Sequence, residues 1–137
     1  MYKHETQIRV RYAETDQMGY VYYGNYARYY EVGRVEAMRN LGLRYALLES
    51  EHGILMPVLS METRFVRPAK YDEMLTMQTY IPSMPDDKIT FKSEIYNDHQ
   101  KLVNGGVVRL FFLDKKTKER IPTPKIIADR LRPYFET

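Results

Sequence analysis

From His4 to Tyr12 the side chains alternate. His4, Thr6, Ile8, Val10 and Tyr12 share one face, and Glu5, Gln7, Arg9 and Arg11 share the other. A period of two with branched residues predicts a half-buried strand. Ala13-Glu14-Thr15-Asp16 ends it, and Gly19 allows a tight turn or a close backbone approach. Beyond this point the period becomes helical. Tyr26, Tyr30, Gly33, Ala37 and Leu41 recur at intervals of three and four, with Val32, Glu36 and Arg39 elsewhere on the wheel. The spacing predicts one long amphipathic helix from about Tyr23 to Asn40, ended by Gly42; Asn25 can cap it with its side chain, or the first helical turn equally begins a few residues earlier. Ala27, Gly33 and Ala37 are small, so this helix can lie close against a sheet.

Arg44 to His52 reads as a second, short helix stopped by Gly53, and Ile54 to Pro57 as a connection. Four strands follow. Val58–Val66 places Leu59, Met61, Thr63 and Phe65 on one face and Ser60, Glu62 and Arg64 on the other, and Pro68 closes it. Met74–Ile81 and Lys88–Tyr96 alternate in the same way. Lys101–Leu113 is densely apolar, as suits a central strand covered on both faces. Gly105-Gly106 near its start marks a bulge, a bend or the close approach of another group. Lys115–Glu119 is a turn, Ile121-Pro-Thr-Pro124 an extended link, and Lys125–Leu131 a final helix with Pro124 at its start. An early long helix followed by a run of antiparallel strands predicts an α+β fold, the helix covering one face of a curved sheet. Several strands carry apolar residues on both faces, so the uncovered face is expected to meet another subunit.

The totals narrow this picture. A chain of 137 residues is expected to form one domain, 1–137. There are no cysteines, which excludes disulfides, thiolate nucleophiles and cysteine-held zinc. His4, His52 and His99 have no metal-ligand spacing. No apolar run is long enough for a membrane span, and Met1-Tyr-Lys-His-Glu-Thr does not open a signal peptide, so a cytoplasmic protein is expected. The net charge of +3 is carried by no basic block, which argues against a nucleic-acid partner. Lys115-Lys116-Thr117-Lys118 reads as a solvated turn, with a phosphate-contacting patch as the alternative. Thirteen tyrosines without a tryptophan suit interfaces and ligand clefts.

Candidate chemistry gathers at one place. Asp16 lies between a strand end and a helix start, with Gly19 three residues on. On position alone it is equally a turn carboxylate or a cap. As a functional group, it stands beside the unsatisfied amides of a helix start, which can stabilise an oxyanion. A carboxylate there can activate water or attack a carbonyl directly. Such a site performs acyl transfer without serine, cysteine, metal or cofactor. Glu31 either orients a group beside the turn or faces solvent, pairing with Arg28 or Arg34.

The segment Arg9 to Glu31, above all Asp16-Gln-Met-Gly19-Tyr-Val-Tyr-Tyr-Gly-Asn25-Tyr, resembles the signature of hot-dog-fold acyl-CoA thioesterases. The nearest branch is the 4-hydroxybenzoyl-CoA thioesterase group, which includes the thioesterase of the bacterial Tol-Pal system. The similarity continues through Phe65-Val-Arg-Pro68, Tyr71-Asp72 and Ile121-Pro-Thr-Pro124-Lys125. The resemblance implies a long helix wrapped by a five- or six-stranded antiparallel sheet, and a homodimer or homotetramer with pockets at subunit interfaces. It implies Asp16 as the catalytic carboxylate and Tyr22, Tyr23 and Gly24 as candidate oxyanion donors. Gly19, Tyr22, Asn25 and Glu31 then become substrate-binding candidates. The substrate implied is an acyl-CoA, with an acyl carrier protein thioester or a non-catalytic acyl-thioester-binding module as alternatives. Tyr23 stands where Tol-Pal-associated members often carry histidine, so that histidine's role does not transfer. Tyr23 can instead shape the acyl pocket or donate its hydroxyl.

Overall fold

A computed structural model describes residues 1–136. The chain runs through β1 (Tyr2–Arg9), 3-10 turns at Tyr12–Glu14 and Tyr23–Asn25, α1 (Tyr26–Asn40) and α2 (Tyr45–His52). There follow β2 (Ile54–Leu55), β3 (Val58–Phe65), β4 (Met74–Ile81), β5 (Lys88–Tyr96), β6 (Leu102–Asp114), β7 (Arg120–Ile121) and α3 (Lys125–Leu131). All pairings are antiparallel. The sheet runs β1-β4-β5-β6, with β3 and β2 on the far edge of β6 and β7 on its end. The sheet therefore has seven strands rather than five or six. The additions are two-residue pairs at the tail of β6, too short to leave a periodic signal.

Helix α1 lies across the inner face. All five residues of its expected stripe are buried, and Tyr29, Arg34 and Met38 widen it. They meet the inward rows of the sheet: Leu75, Met77 and Ile81, then Ile89, Phe91 and Ile95, then Val108, Leu110 and Phe112. Each large side chain so buried contributes about 1.5–3 kcal/mol. The phenol of Tyr2 ties β1 to the helix end by donating to the Ala37 carbonyl (2.8 Å), and Asn40 Nδ2 donates to that phenol (2.9 Å). The helix comes so close that a Cβ on Gly33 would lie 2.6 Å from Thr79 Oγ1. At Gly106 a Cβ would fall on the Tyr30 ring. Close approach is therefore what Gly106 serves.

Several expectations change. The first strand ends at Arg9, not Tyr12. The chain turns at Tyr12–Glu14 and leaves Tyr12 79% exposed, so the last step of the alternation was coincidence. Ile54–Leu55 pairs with β6 and is not merely a connection. β6 is central, yet its outward residues are only half-buried, because no layer covers that face in the single chain. Lys115–Lys118 is a turn whose Lys116 and Thr117 amides donate to Asp114 Oδ1, as the solvated reading requires.

Gly106→Ala should lower stability by about 1–3 kcal/mol, the usual cost of overpacking, read as a lower urea midpoint. A wild-type midpoint would show that Tyr30 has room to move aside.

Candidate functional site

The acid turn is a small hairpin. Thr15 bridges Val21, and Asp16 N–H donates to the Tyr20 carbonyl at 2.8 Å. Gly19 N–H returns to the Asp16 carbonyl at 3.0 Å, with Gly19 at φ +77°, the left-handed region that favours glycine. The turn is then stitched to the segment before β4. Val21 N–H donates to the Ala69 carbonyl (2.8 Å), and Tyr71 N–H donates to the Gly19 carbonyl (3.0 Å). Asp16 itself is exposed. Its Oδ1 accepts the Met18 and Tyr20 amides at 2.9 and 3.3 Å. No hydrogen bond among the described residues uses Oδ2.

A second carboxylate, which the sequence reading left inside a strand end, organises this region. Glu14 is only 4% exposed. Its Oε1 accepts the Arg11 amide and the Tyr29 phenol, each at 2.9 Å. Its Oε2 accepts Arg11 Nη2 at 2.8 Å and Nε at 3.2 Å. Burial pushes the Glu14 pKa up, but the hydrogen bonds from Arg11 and Tyr29 and the nearby guanidinium charge outweigh it, and the net shift is downward. The Glu14 carbonyl also works: it accepts Tyr22 N–H at 2.9 Å and Asn25 Nδ2 at 2.8 Å. The Arg11-x-x-Glu14 spacing was the available signal. Its importance depends on Tyr29, a turn inside the helix.

These bonds decide which amides of the helix start are free. Tyr22 N–H is already given to the Glu14 carbonyl. Asn25 N–H returns to the Tyr22 carbonyl at 2.9 Å. Among the described residues, no hydrogen bond uses the N–H of Tyr23 or Gly24. They stand at the positive end of α1. Asn25 does not cap the helix with its side chain. Its backbone is already helical, at φ −80° and ψ −12°, and its amide group reaches back to Glu14 instead.

The surroundings are aromatic. The rings of Tyr22 and Tyr23 lie 4.5 Å apart, and Phe65 of β3 sits 6.4 Å from Tyr23 and 5.7 Å from Tyr26. Tyr22, Tyr23 and Phe65 are exposed, whereas Tyr26 is buried, its phenol pKa pushed up to about 12 by burial first and then by nearby Tyr30 and Glu73. Glu31 is exposed and ion-pairs with neither Arg28 nor Arg34; Arg34 is buried on α1. Hydrogen bonds thus tie Asp16, Gly19, Tyr22 and Asn25 into one turn and helix start, with Tyr23 and Gly24 held between the last two, and leave Glu31 outside. No group of metal-ligating side chains occurs among the described residues. Among the described residues, no helix is long and apolar enough to cross a membrane.

A long helix wrapped by an antiparallel sheet, with an acid turn at the helix start, defines the hot-dog thioesterase fold. The sequence profile of the Thioesterase-like superfamily matches residues 10–131, and the chain belongs to that family. YneP of Bacillus subtilis is 33% identical over 129 residues, covering 94% of this chain and 93% of that protein. The acyl-CoA thioester hydrolase YbgC of Escherichia coli O6:H1 is 32% identical over 123 residues, covering 89% and 91%. The crystal structure of a DHNA-CoA thioesterase from Staphylococcus aureus superposes with a TM-score of 0.89 at 31% identity, covering 98% of this chain and 89% of that one.

The Glu14 pKa is depressed in the fold, so its contribution to stability is complete above its unfolded value near 4.5 and is lost as pH falls through the lower folded value. Glu14→Gln should cost about 1–3 kcal/mol at pH 7, and the gap to wild type in urea midpoint should close towards pH 3. A gap independent of pH would show that the charge of Glu14 does not matter.

Proposed function

We propose that this enzyme hydrolyses an acyl-CoA thioester, using Asp16 as its catalytic carboxylate and the N–H groups of Tyr23 and Gly24 as its oxyanion donors. The observation that carries the reading is the pairing of two unused amides at a helix start with a carboxylate that keeps one oxygen free. In the general-base route, Asp16 Oδ2 takes a proton from water as its oxygen attacks the thioester carbon. The carbonyl oxygen becomes an oxyanion and accepts the Tyr23 and Gly24 hydrogens. The carbon–sulfur bond then breaks, and the thiolate leaves with the proton that Asp16 took. In the nucleophilic route, Asp16 attacks the same carbon, expels the thiolate and forms a mixed anhydride, which water cleaves. Both routes need the same carboxylate at the same place.

The aromatic side chains of Tyr22, Tyr23 and Phe65 support a wall for the acyl group. Gly19 shapes the turn and Asn25 holds it, so both act through position. Glu31, exposed and outside the bonded unit, stays a candidate substrate contact. An acyl carrier protein thioester is the second substrate class, because the same chemistry serves it.

A homodimer completes the reading. β3 is bonded to β6 on one side only, and Val58, Leu59, Met61, Phe65 and Val66 are between 42% and 55% exposed. An edge strand with such a row is an invitation to pair. A second copy on this edge would cover Phe65 and set the acyl wall at the joint. Pairing of dimers into a tetramer is the further assembly that the family resemblance suggests.

Asp16→Asn keeps an oxygen to accept the Met18 and Tyr20 amides, so the turn should hold its shape. Hydrolysis should fall by about 10²–10⁴-fold in a screen of short, long and aromatic acyl-CoAs, with unchanged circular dichroism. Undiminished turnover would sink the assigned role of Asp16. Light scattering should show a dimer or larger; a stable monomer at working concentration would remove the shared pocket.

A further inference from the structure

Thr63 stands on the inward-facing row of the edge strand β3, between Met61 and Phe65. It faces Gly106 across the ladder, while Phe65 faces Asn104. Tyr30, from the second turn of α1, reaches down into the space that Gly106 leaves open. There its phenol meets Thr63 Oγ1 at 2.6 Å and donates to Asn104 Oδ1. Asn104 Nδ2 in turn donates to Thr63 Oγ1 at 3.3 Å. Tyr30 and Asn104 are 1% and 0% exposed, whereas Thr63, on the edge strand, is exposed, so the ring joins two buried groups to one at the surface.

With Asn104 Oδ1 turned to the Tyr30 phenol, counting hydrogens gives each remaining bond its direction. The Tyr30 phenol has one hydrogen and gives it to Asn104. The Thr63–Tyr30 contact must then be a Thr63 O–H donating to the phenol oxygen. Thr63 Oγ1 meanwhile accepts from Asn104. The three groups form a closed ring in which each donates to the next, so each bond polarises the one that follows it. The Gly105 carbonyl, 3.3 Å from the same phenol, competes for a hydrogen already used. Burial, the largest influence, raises the Tyr30 pKa even though Thr63 and Asn104 lower it, so the phenol keeps its hydrogen at neutral pH.

We propose that this ring of Tyr30, Thr63 and Asn104 sets acyl specificity by fixing how far the edge strand stands from the start of α1. The inference rests on the thioesterase reading above. Two residues beyond Thr63, on the same face, Phe65 closes the aromatic wall against Tyr23 and Tyr26. Tyr26 and Tyr30 are one helical turn apart, so the ring and the wall join the same two elements at neighbouring levels. The ladder to β6 holds β3 within the sheet but does not hold it to the helix. The ring supplies that link, and Tyr30, Thr63 and Asn104 are positioning residues that touch no reacting atom.

The test compares kcat/KM for benzoyl-CoA and acetyl-CoA in the wild type, Tyr30→Phe, Thr63→Val and Thr63→Ser. Tyr30→Phe removes one oxygen and Thr63→Val is close to isosteric, so both should fold, as thermal unfolding will verify. Each opens the ring and should change the benzoyl-to-acetyl ratio by roughly tenfold, the scale set by small misfits in an acyl pocket. Thr63→Ser keeps the hydroxyl and should retain the wild-type ratio. A lower melting temperature with an unchanged ratio in both ring-opening variants would overturn the inference alone. A wild type inactive on every acyl-CoA and carrier-protein thioester would overturn the underlying reading and this one with it.

Discussion

A carboxylate removed from water needs partners for every lone pair it buries, and at Glu14 that need shapes the whole helix start. Arg11 and Tyr29 answer it from opposite sides, one from the strand end and one from inside α1. The chain between them has little freedom left. Because the Glu14 carbonyl also takes Tyr22 N–H and Asn25 Nδ2, the two residues between those donors, Tyr23 and Gly24, meet no acceptor. The free amides are thus a by-product of satisfying a neighbour. Loss of Glu14 would disturb the site without touching the carboxylate assigned to the chemistry.

The same economy governs the helix and sheet. Gly33 and Gly106 let α1 sit directly on β4 and β6, and the closeness brings the Tyr30 phenol to Asn104. A buried asparagine on a central strand would be costly alone. Here it is satisfied by a helix residue and an edge-strand residue together, so the polar group specifies how three elements meet. Hydrophobic burial drives the layers together but is non-directional; this ring and the Tyr2–Ala37 bond supply direction.

Much of this was legible in the chain. The stripe Tyr26, Tyr30, Gly33, Ala37 and Leu41 is buried as its period requires, because a helix repeats its face regardless of what packs on it. β4 and β5 were equally plain, having one wet face and one dry face. Asp16, Gly19 and the helix start stood out as a turn, but the choice of Asp16 as a reacting group came from family resemblance, since aspartate at a turn is ordinary. Long-range pairing was not legible. Nothing local distinguishes Glu14 until Tyr29 is folded back onto it, or Asn104 until Tyr30 passes Gly106. Of the two readings of Asn25, cap or residue inside an earlier first turn, the backbone decides for the second: a residue already in helical φ and ψ cannot present its side chain as a cap does.

Burial of tyrosine rather than phenylalanine on α1, and on β1 at Tyr2, has a cost at the other end of the pH scale. The phenols of Tyr2, Tyr26, Tyr29 and Tyr30 all titrate above their ordinary value of 10.0, chiefly because burial disfavours the phenolate; Tyr29 has the carboxylate of Glu14 against it as well. In the unfolded chain these groups ionise near 10.0, so from that pH upward the unfolded state gains on the folded one until the raised values are passed. The buried tyrosines therefore also impose an alkaline ceiling, and the protein should come apart in base through its own core.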